Sequence, residues 1–388
     1  MGTQRAAGLF TPVFCTLYAA NLCTVAGFGA FFLFPLFIRG RGGSELDIGI
    51  LMGAFALASA LCRPWISEMI DRIGRKKSYG LGCLLMSLCP LAYLALDGEL
   101  KSVYAPLLLL RVVHGVGLAI CFTAIFTWIA DLLPEERLGE GIGIFGTSGL
   151  IGMALGPALG ESALAFGSYG LYFALCSALS AVGLLGHLRL EESFSPPAGH
   201  HPQPGFFRLL ARPKLAGIAG LTVAFGFAVA ACSTFVAPMV IDRSLGLIFP
   251  FYLCYSGAAI AMRFIAPPLA DRLGEKALLP WGLGLTIGGL VLLSVATRSL
   301  LPAAGLLAGA GHGVLFPLLN SLAVRNEPLA IRGKVTGIFT GSIDAGIFAG
   351  SLLLGQVGEM AGYGALFLLA SFIGLCALIL SLRPLERL

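Results

Sequence analysis

One tract occurs twice in this chain. Arg63-Pro-Trp-Ile-Ser-Glu-Met-Ile-Asp71-Arg72-Ile73-Gly74-Arg75-Lys76 returns 200 positions later as Arg263-Phe-Ile-Ala-Pro-Pro-Leu-Ala-Asp271-Arg272-Leu273-Gly274-Glu275-Lys276. Each copy interrupts a series of long apolar segments, the pattern of an internally duplicated membrane bundle. Two further matches keep the same order. His114-Gly115-Val116 pairs with His312-Gly313-Val314 at an offset of 198, and Gly143-Ile-Phe145 pairs with Gly337-Ile-Phe339 at 194.

Composition agrees with lipid as the main solvent. Of 388 residues 57% are hydrophobic and 12% charged, against about 25% charged in an average soluble domain. A bilayer core needs helices of about 20 residues. Twelve stretches qualify, near 12–38, 47–66, 78–96, 103–130, 141–164, 166–188, 215–241, 246–268, 277–297, 300–324, 335–358 and 361–382. The first is too long for a removable signal peptide and is read as the first helix. The expected fold class is therefore an all-α membrane protein of two pseudo-symmetric six-helix halves.

Between the sixth and seventh stretches the chain turns polar and proline-rich, Glu191-Glu192-Ser-Phe-Ser-Pro-Pro-Ala-Gly-His-His-Pro-Gln-Pro-Gly205. This reads as a linker over 191–212 joining an N-terminal half, 1–190, to a C-terminal half, 213–388. Its His200 and His201 read as solvated residues. Seventeen of the 25 lysines and arginines fall in the termini, the linker and the even-numbered loops; five (Arg39, Arg41, Lys101, Arg243, Arg298) fall in the odd-numbered loops. By the positive-inside rule both termini are expected to be cytoplasmic. The charges form no continuous basic face, which argues against a nucleic-acid partner. All ten cysteines lie in apolar stretches without metal-type spacing and read as small buried hydrophobes. Neither a metal nor a cofactor is expected.

The residues resemble the major facilitator superfamily and, within it, the twelve-helix drug:proton antiporter-like exporters. Asp71, Arg72, Gly74, Arg75 and Lys76 match the signature G-x-x-x-D-R-x-G-R-[RK], with Ser67 at its first glycine; Asp271 and Arg272 belong to the second copy. Arg111, His114, Gly115 and Gly117 resemble R-x-x-[polar]-G-x-G, with histidine where glutamine is common. Gly152, Gly156, Pro157 and Gly160 resemble the antiporter motif G-x-x-x-G-P-x-x-G. The resemblance implies a proton-coupled efflux transporter working by alternating access, a likeness that covers essentially the whole chain.

It further implies that segments 5 and 8, and 2 and 11, meet between the halves. Glycine at every fourth position lets a neighbouring helix approach closely, so Gly152, Gly156 and Gly160, with Gly346 and Gly350 in segment 11, are gating candidates. Asp71 would latch onto the amino-terminal end of segment 11 when the site faces outward. Segments 1, 4, 7 and 10 would line a central cavity. The stripes there are Asn21, Thr24, Phe28 and Phe31; Arg111, His114 and Phe122; Phe225 and Thr234; His312, Phe316 and Asn320. Phenylalanine walls with few polar groups suit an amphiphilic or lipophilic molecule, and multidrug substrates fit that description.

Ionisable groups inside hydrocarbon are costly and mark function by default. Here they are Arg63, Arg111, His114, Arg263, His312 and Asp344, with Glu161 near a segment end. His114, His312 and Asp344 are the candidates for carrying a coupled proton. Arg63 and Arg263, placed alike in the repeats, read as symmetric structural anchors. The expected partners are a small molecule, protons and the bilayer, with the chain a monomer in a cell membrane. An importer or facilitator of a metabolite on the same fold is the alternative. A membrane-embedded enzyme is remote, because no nucleophile–base pair, carboxylate cluster or metal motif occurs.

Overall fold

The computed structural model describes residues 9–134, 137–193 and 205–382; His200 and His201 lie outside them. The N-terminal half contains α1 (Pro12–Arg39, with a 3-10 turn at Phe31–Leu33), α2 (Glu45–Ile73), α3 (Arg75–Tyr93), α4 (Leu100–Leu132), α5 (Leu138–Ala165) and α6 (Tyr169–Gly186). The C-terminal half contains α7 (Pro213–Asp242), α8 (Phe249–Leu273), α9 (Glu275–Ser294), α10 (Leu300–Val324), α11 (329–361) and α12 (363–381). A short helix, Phe206–Leu210, precedes α7. Among the described residues ten helices, counting 331–381 as one, are long and apolar enough to cross a membrane. That run reverses at Gly362 (φ 78°) and so holds two.

The helix boundaries follow from local chemistry. At the start of α2, Ser44 Oγ accepts from the Asp47 amide (3.3 Å) while Asp47 Oδ2 accepts from the Ser44 amide (2.9 Å), a reciprocal cap. At the other end of α2 the chain turns through Gly74 at φ 96°, and its repeat counterpart Gly274 turns at 86°. A side chain is strained in that left-handed region, so glycine in the duplicated signature is required by the backbone.

Packing repeats as well. In the N-terminal half α1 packs on α5, α2 on α4, and α3 on α4 and α6; in the C-terminal half α7 packs on α11, α8 on α10, and α9 on α10 and α12. Between the halves the most extensive contacts are α2 with α11 and α5 with α8, the pairs that the family resemblance implied, and α1 also meets α7 through Arg39 and Asp242. The outer faces of the bundle carry exposed apolar side chains, for example Leu81, Leu84, Leu88 and Leu91 along α3 and Val182 and Leu185 on α6. Such a surface is stable against hydrocarbon and costly against water.

Candidate functional site

Arg111 of α4 is 2% exposed, at the centre of an aromatic box in the N-terminal half. Its guanidinium carbon stands 4.4, 4.9 and 5.8 Å from the rings of Phe55, Phe34 and Phe31, each contact contributing about 0.5–2 kcal/mol. Nε donates to the Leu51 carbonyl of α2 (3.1 Å), while Nη1 is buried without a partner. His114, one turn on, is fully buried. Its ring centroid lies 4.7 Å from Phe31 and 5.4 Å from Phe55, and Nδ1 is 3.5 Å from the Tyr93 hydroxyl.

The C-terminal half repeats the histidine and changes its neighbours. Tyr255, the positional equivalent of Phe55, hydrogen-bonds His312 Nδ1 at 2.7 Å. Phe225 lies 5.1 Å from the His312 ring and Phe316 stacks on it at 5.9 Å. On the Phe316 ring, 5.1 Å from its centroid, lies the guanidinium of Arg263.

Arg63 and Asp344 form the most strongly bonded ionic contact between the halves. Arg63 of α2 donates through Nε (2.7 Å) and Nη2 (2.6 Å) to Asp344 Oδ2 of α11, and Ser59 Oγ donates to the same oxygen at 2.7 Å. The two charged side chains are 9% and 13% exposed. Desolvating them is repaid only because the geometry is close and the carboxylate collects three donors. The two repeat-related arginines are therefore alike in position and unlike in partners: Arg63 joins α2 to α11, and Arg263 lies over Phe316 of its own half.

Several other candidates lie elsewhere than expected. Asn21 Nδ2 donates to Ser148 Oγ of α5 (2.7 Å), and Thr24 Oγ1 donates to the Ala20 carbonyl (3.0 Å) close to Tyr79 of α3. Both are buried between helices of one half. Phe31 belongs to the Arg111 box, and Phe28 stacks on Phe55 at 5.8 Å. Phe122 packs on Phe126, 5.0 Å away, and Thr234 is 3.4 Å from Ser351 of α11. Asn320 keeps a buried amide atom without a partner.

The glycine stripes face inward within each half. A Cβ on Gly152 or Gly156 would meet α1 backbone at Ala26 or Ala30, and on Gly160 it would meet Leu33 and Tyr172. A Cβ on Gly346 or Gly350 would meet α7 at Gly226 or Phe227. Glycines that allow contact between halves include Gly49 and Gly355, where a Cβ on Gly355 would stand 3.1 Å from the Gly49 Cα, and Gly53, where it would meet Phe348. Helix α5 runs on through buried Pro157. Asp71 turns to Arg75 of its own half (3.1 Å), which also binds Asp131 (2.8 Å), and among the described residues it has no hydrogen bond or ion pair to α11. Arg72 pairs with Glu68; Arg272 is exposed, and the Asp271 side chain lies outside the described residues.

The capping chemistry expected of Asp71 is found at the opposite end of the bundle. Glu161 of α5 accepts from the Ile248 and Phe249 amides at the start of α8 (2.8 and 2.9 Å), and Glu359 of α11 accepts from the Glu45 amide at the start of α2 (3.0 Å). Each half thus puts a carboxylate on a helix amino terminus of the other, where the helix dipole favours it. Arg39 adds an ion pair to Asp242 (2.7 Å), and Tyr363 donates to Glu45 (2.6 Å). At the Asp71 end, Arg75–Asp131 and Arg325–Glu275 each join residues of one half. Glu359, Tyr363 and Asp242 escaped the sequence reading, and at the offset of 194 that relates α5 to α11 Glu161 aligns with Gly355, so the repeat did not point to Glu359.

The Major Facilitator Superfamily family model matches residues 16–266 and 242–387. The transporter YhhS of Escherichia coli, described as uncharacterized, is 28% identical over 351 residues, covering 89% of this chain and 85% of that protein. Multidrug resistance protein MdtG of Enterobacter lignolyticus is 27% identical over 391 residues, 94% and 88% respectively. The nucleoside transporter NupG superposes with a TM-score of 0.76 at 13% identity over 95% of this chain and 98% of its own. The human organic anion transporter MFSD10 gives 0.73 at 16% over 96% and 100%; these two likenesses establish the fold. With its repeat-related helix contacts and a family match across nearly the whole sequence, the chain belongs to the major facilitator superfamily and is a multi-pass membrane transporter, not an enzyme.

Proposed function

We propose that this transporter is a proton-coupled exporter of amphiphilic or lipophilic organic molecules, working as a monomer with both termini cytoplasmic. The Arg63–Asp344 bond between the halves carries the reading. A proton on Asp344 neutralises the carboxylate, removes the charge attraction and frees α11 from α2. The same event that binds the proton thus biases the two arrangements of the bundle, as coupling requires. The excess of basic residues at the terminus end supports the orientation. With that orientation, closure at the Glu161–Glu359 end leaves the site facing the cytoplasm. The likeness to MdtG, a multidrug resistance protein by name, supports export.

Flux in proteoliposomes tests it, with N-dansyl-11-aminoundecanoate and its methyl ester as probes. An imposed proton gradient is expected to accelerate outward-directed movement of at least one probe at least ~5-fold, within the usual range of coupling energies. Asp344→Asn abolishes that acceleration and leaves gradient-free exchange. Gradient-driven flux undiminished in Asp344→Asn would remove Asp344 from the coupling path. His114→Ala and His312→Ala, measured in the same way, decide whether either ring shares the proton.

A further inference from the structure

Arg63 has its acid; its repeat counterpart Arg263 does not. At the offset of 194 that relates α5 to α11, the position equivalent to Asp344 is Leu150. Among the described residues Arg263 has no ion pair or hydrogen bond, its Nε is buried without a partner, and its guanidinium lies over the Phe316 ring. A cation kept in the hydrocarbon zone without a counter-charge is costly, and nothing in the packing of α8 requires one there. Around it lie aromatic faces: Phe316 continues into His312 on one side, while the unpartnered Oδ1 of Asn320, one turn along α10, is an acceptor and contributes nothing to holding an anion.

We propose that Arg263 is the specificity-determining residue of the transport site, and that the substrates are amphiphilic organic anions whose carboxylate or sulfonate supplies the missing counter-charge. The guanidinium receives the anion, and Phe316 and Phe225 take the apolar body. The duplication then has a division of labour, in which one arginine is satisfied by the protein and binds the halves while the other is left for the cargo. This rests on the transporter reading above and narrows it to one charge class.

Binding to the full-length protein in nanodiscs tests the proposal independently of flux, by the fluorescence of N-dansyl-11-aminoundecanoate and of its methyl ester. Wild type is expected to bind the carboxylate at least ~10-fold more tightly than the ester, the scale of one charge-assisted contact. Arg263→Gln should erase that preference, with the carboxylate losing more affinity than the ester, and Arg263→Lys restore part of it. Equal affinity of wild type for the two probes, no carboxylate binding, or a preference that survives Arg263→Gln overturns the proposal. Should Arg263→Gln fail to fold, Arg263→Lys with the wild-type ratio decides. Bound carboxylate that is never moved would count against the transport reading and leave this assignment standing. Movement of the ester without carboxylate binding would do the reverse.

Discussion

Asp344 collects three short donor contacts on one oxygen, so its neighbours are committed to an ionised partner. Removing one member of such a buried pair leaves the other charge unpaired, at a cost of about 3–5 kcal/mol, whereas replacing both with apolar groups is often close to neutral. Arg63→Met and Asp344→Leu are therefore each expected to lower the thermal midpoint of the purified protein markedly. The double variant should recover most of the loss. Additive losses in the double variant would mean that each side chain acts through separate contacts. Arg111 differs in kind: aromatic faces and one carbonyl hold it, and Arg111→Lys should destabilise because an ammonium cannot lie flat in the Phe34–Phe55 box.

Helix-scale behaviour is set by where bare backbone is needed. Gly156 lies against α1 so closely that a built Cβ comes 2.5 Å from the Ala30 amide nitrogen, while Gly146, three turns earlier on α5, has no atom within 4 Å. Gly156→Leu should lose folded yield through overpacking of about 1–3 kcal/mol or more; Gly146→Leu should stay within about 0.5 kcal/mol of wild type. Gel-filtration profiles and melting of the two variants side by side check this. The contrast also shows what the sequence could and could not convey. The repeat offsets, the hydrophobic stretches and the duplicated Asp-Arg-x-Gly turn were legible because they depend on spacing and local backbone. Which face of α5 its glycine stripe presents was not, since period four fits α1 and α8 equally well. For the same reason Asn21 and Thr24 read as cavity residues though they join α1 to α5 and α3. The bond between Arg63 and Asp344 joins positions 281 apart, and nothing in the sequence ties those two together.

The whole bundle is held shut at one end by a pseudo-symmetric pair of caps, Glu161 on α8 and Glu359 on α2, with Arg39–Asp242 beside them. At the other end the Arg75–Asp71 and Arg325–Glu275 pairs stay inside one half each, and the caps are contacts that opening at the Glu161–Glu359 end must break. A carboxylate on a helix amino terminus is worth about 0.3–1 kcal/mol, and up to about 2 when partly buried. Losing two should move the equilibrium between arrangements by roughly 5–30-fold. In a background with the native cysteines replaced, spin labels at Leu94→Cys and Val295→Cys sit on exposed positions near the ends of α3 and α9, in opposite halves. Glu161→Gln with Glu359→Gln should add a longer-distance population to the measured distribution, and each single variant about half the effect on a free-energy scale. Unchanged distances in the double variant would show that the glycine contact of α2 with α11 holds the end shut without the caps. Gly49→Val in the same labelled background would then be the variant that opens it.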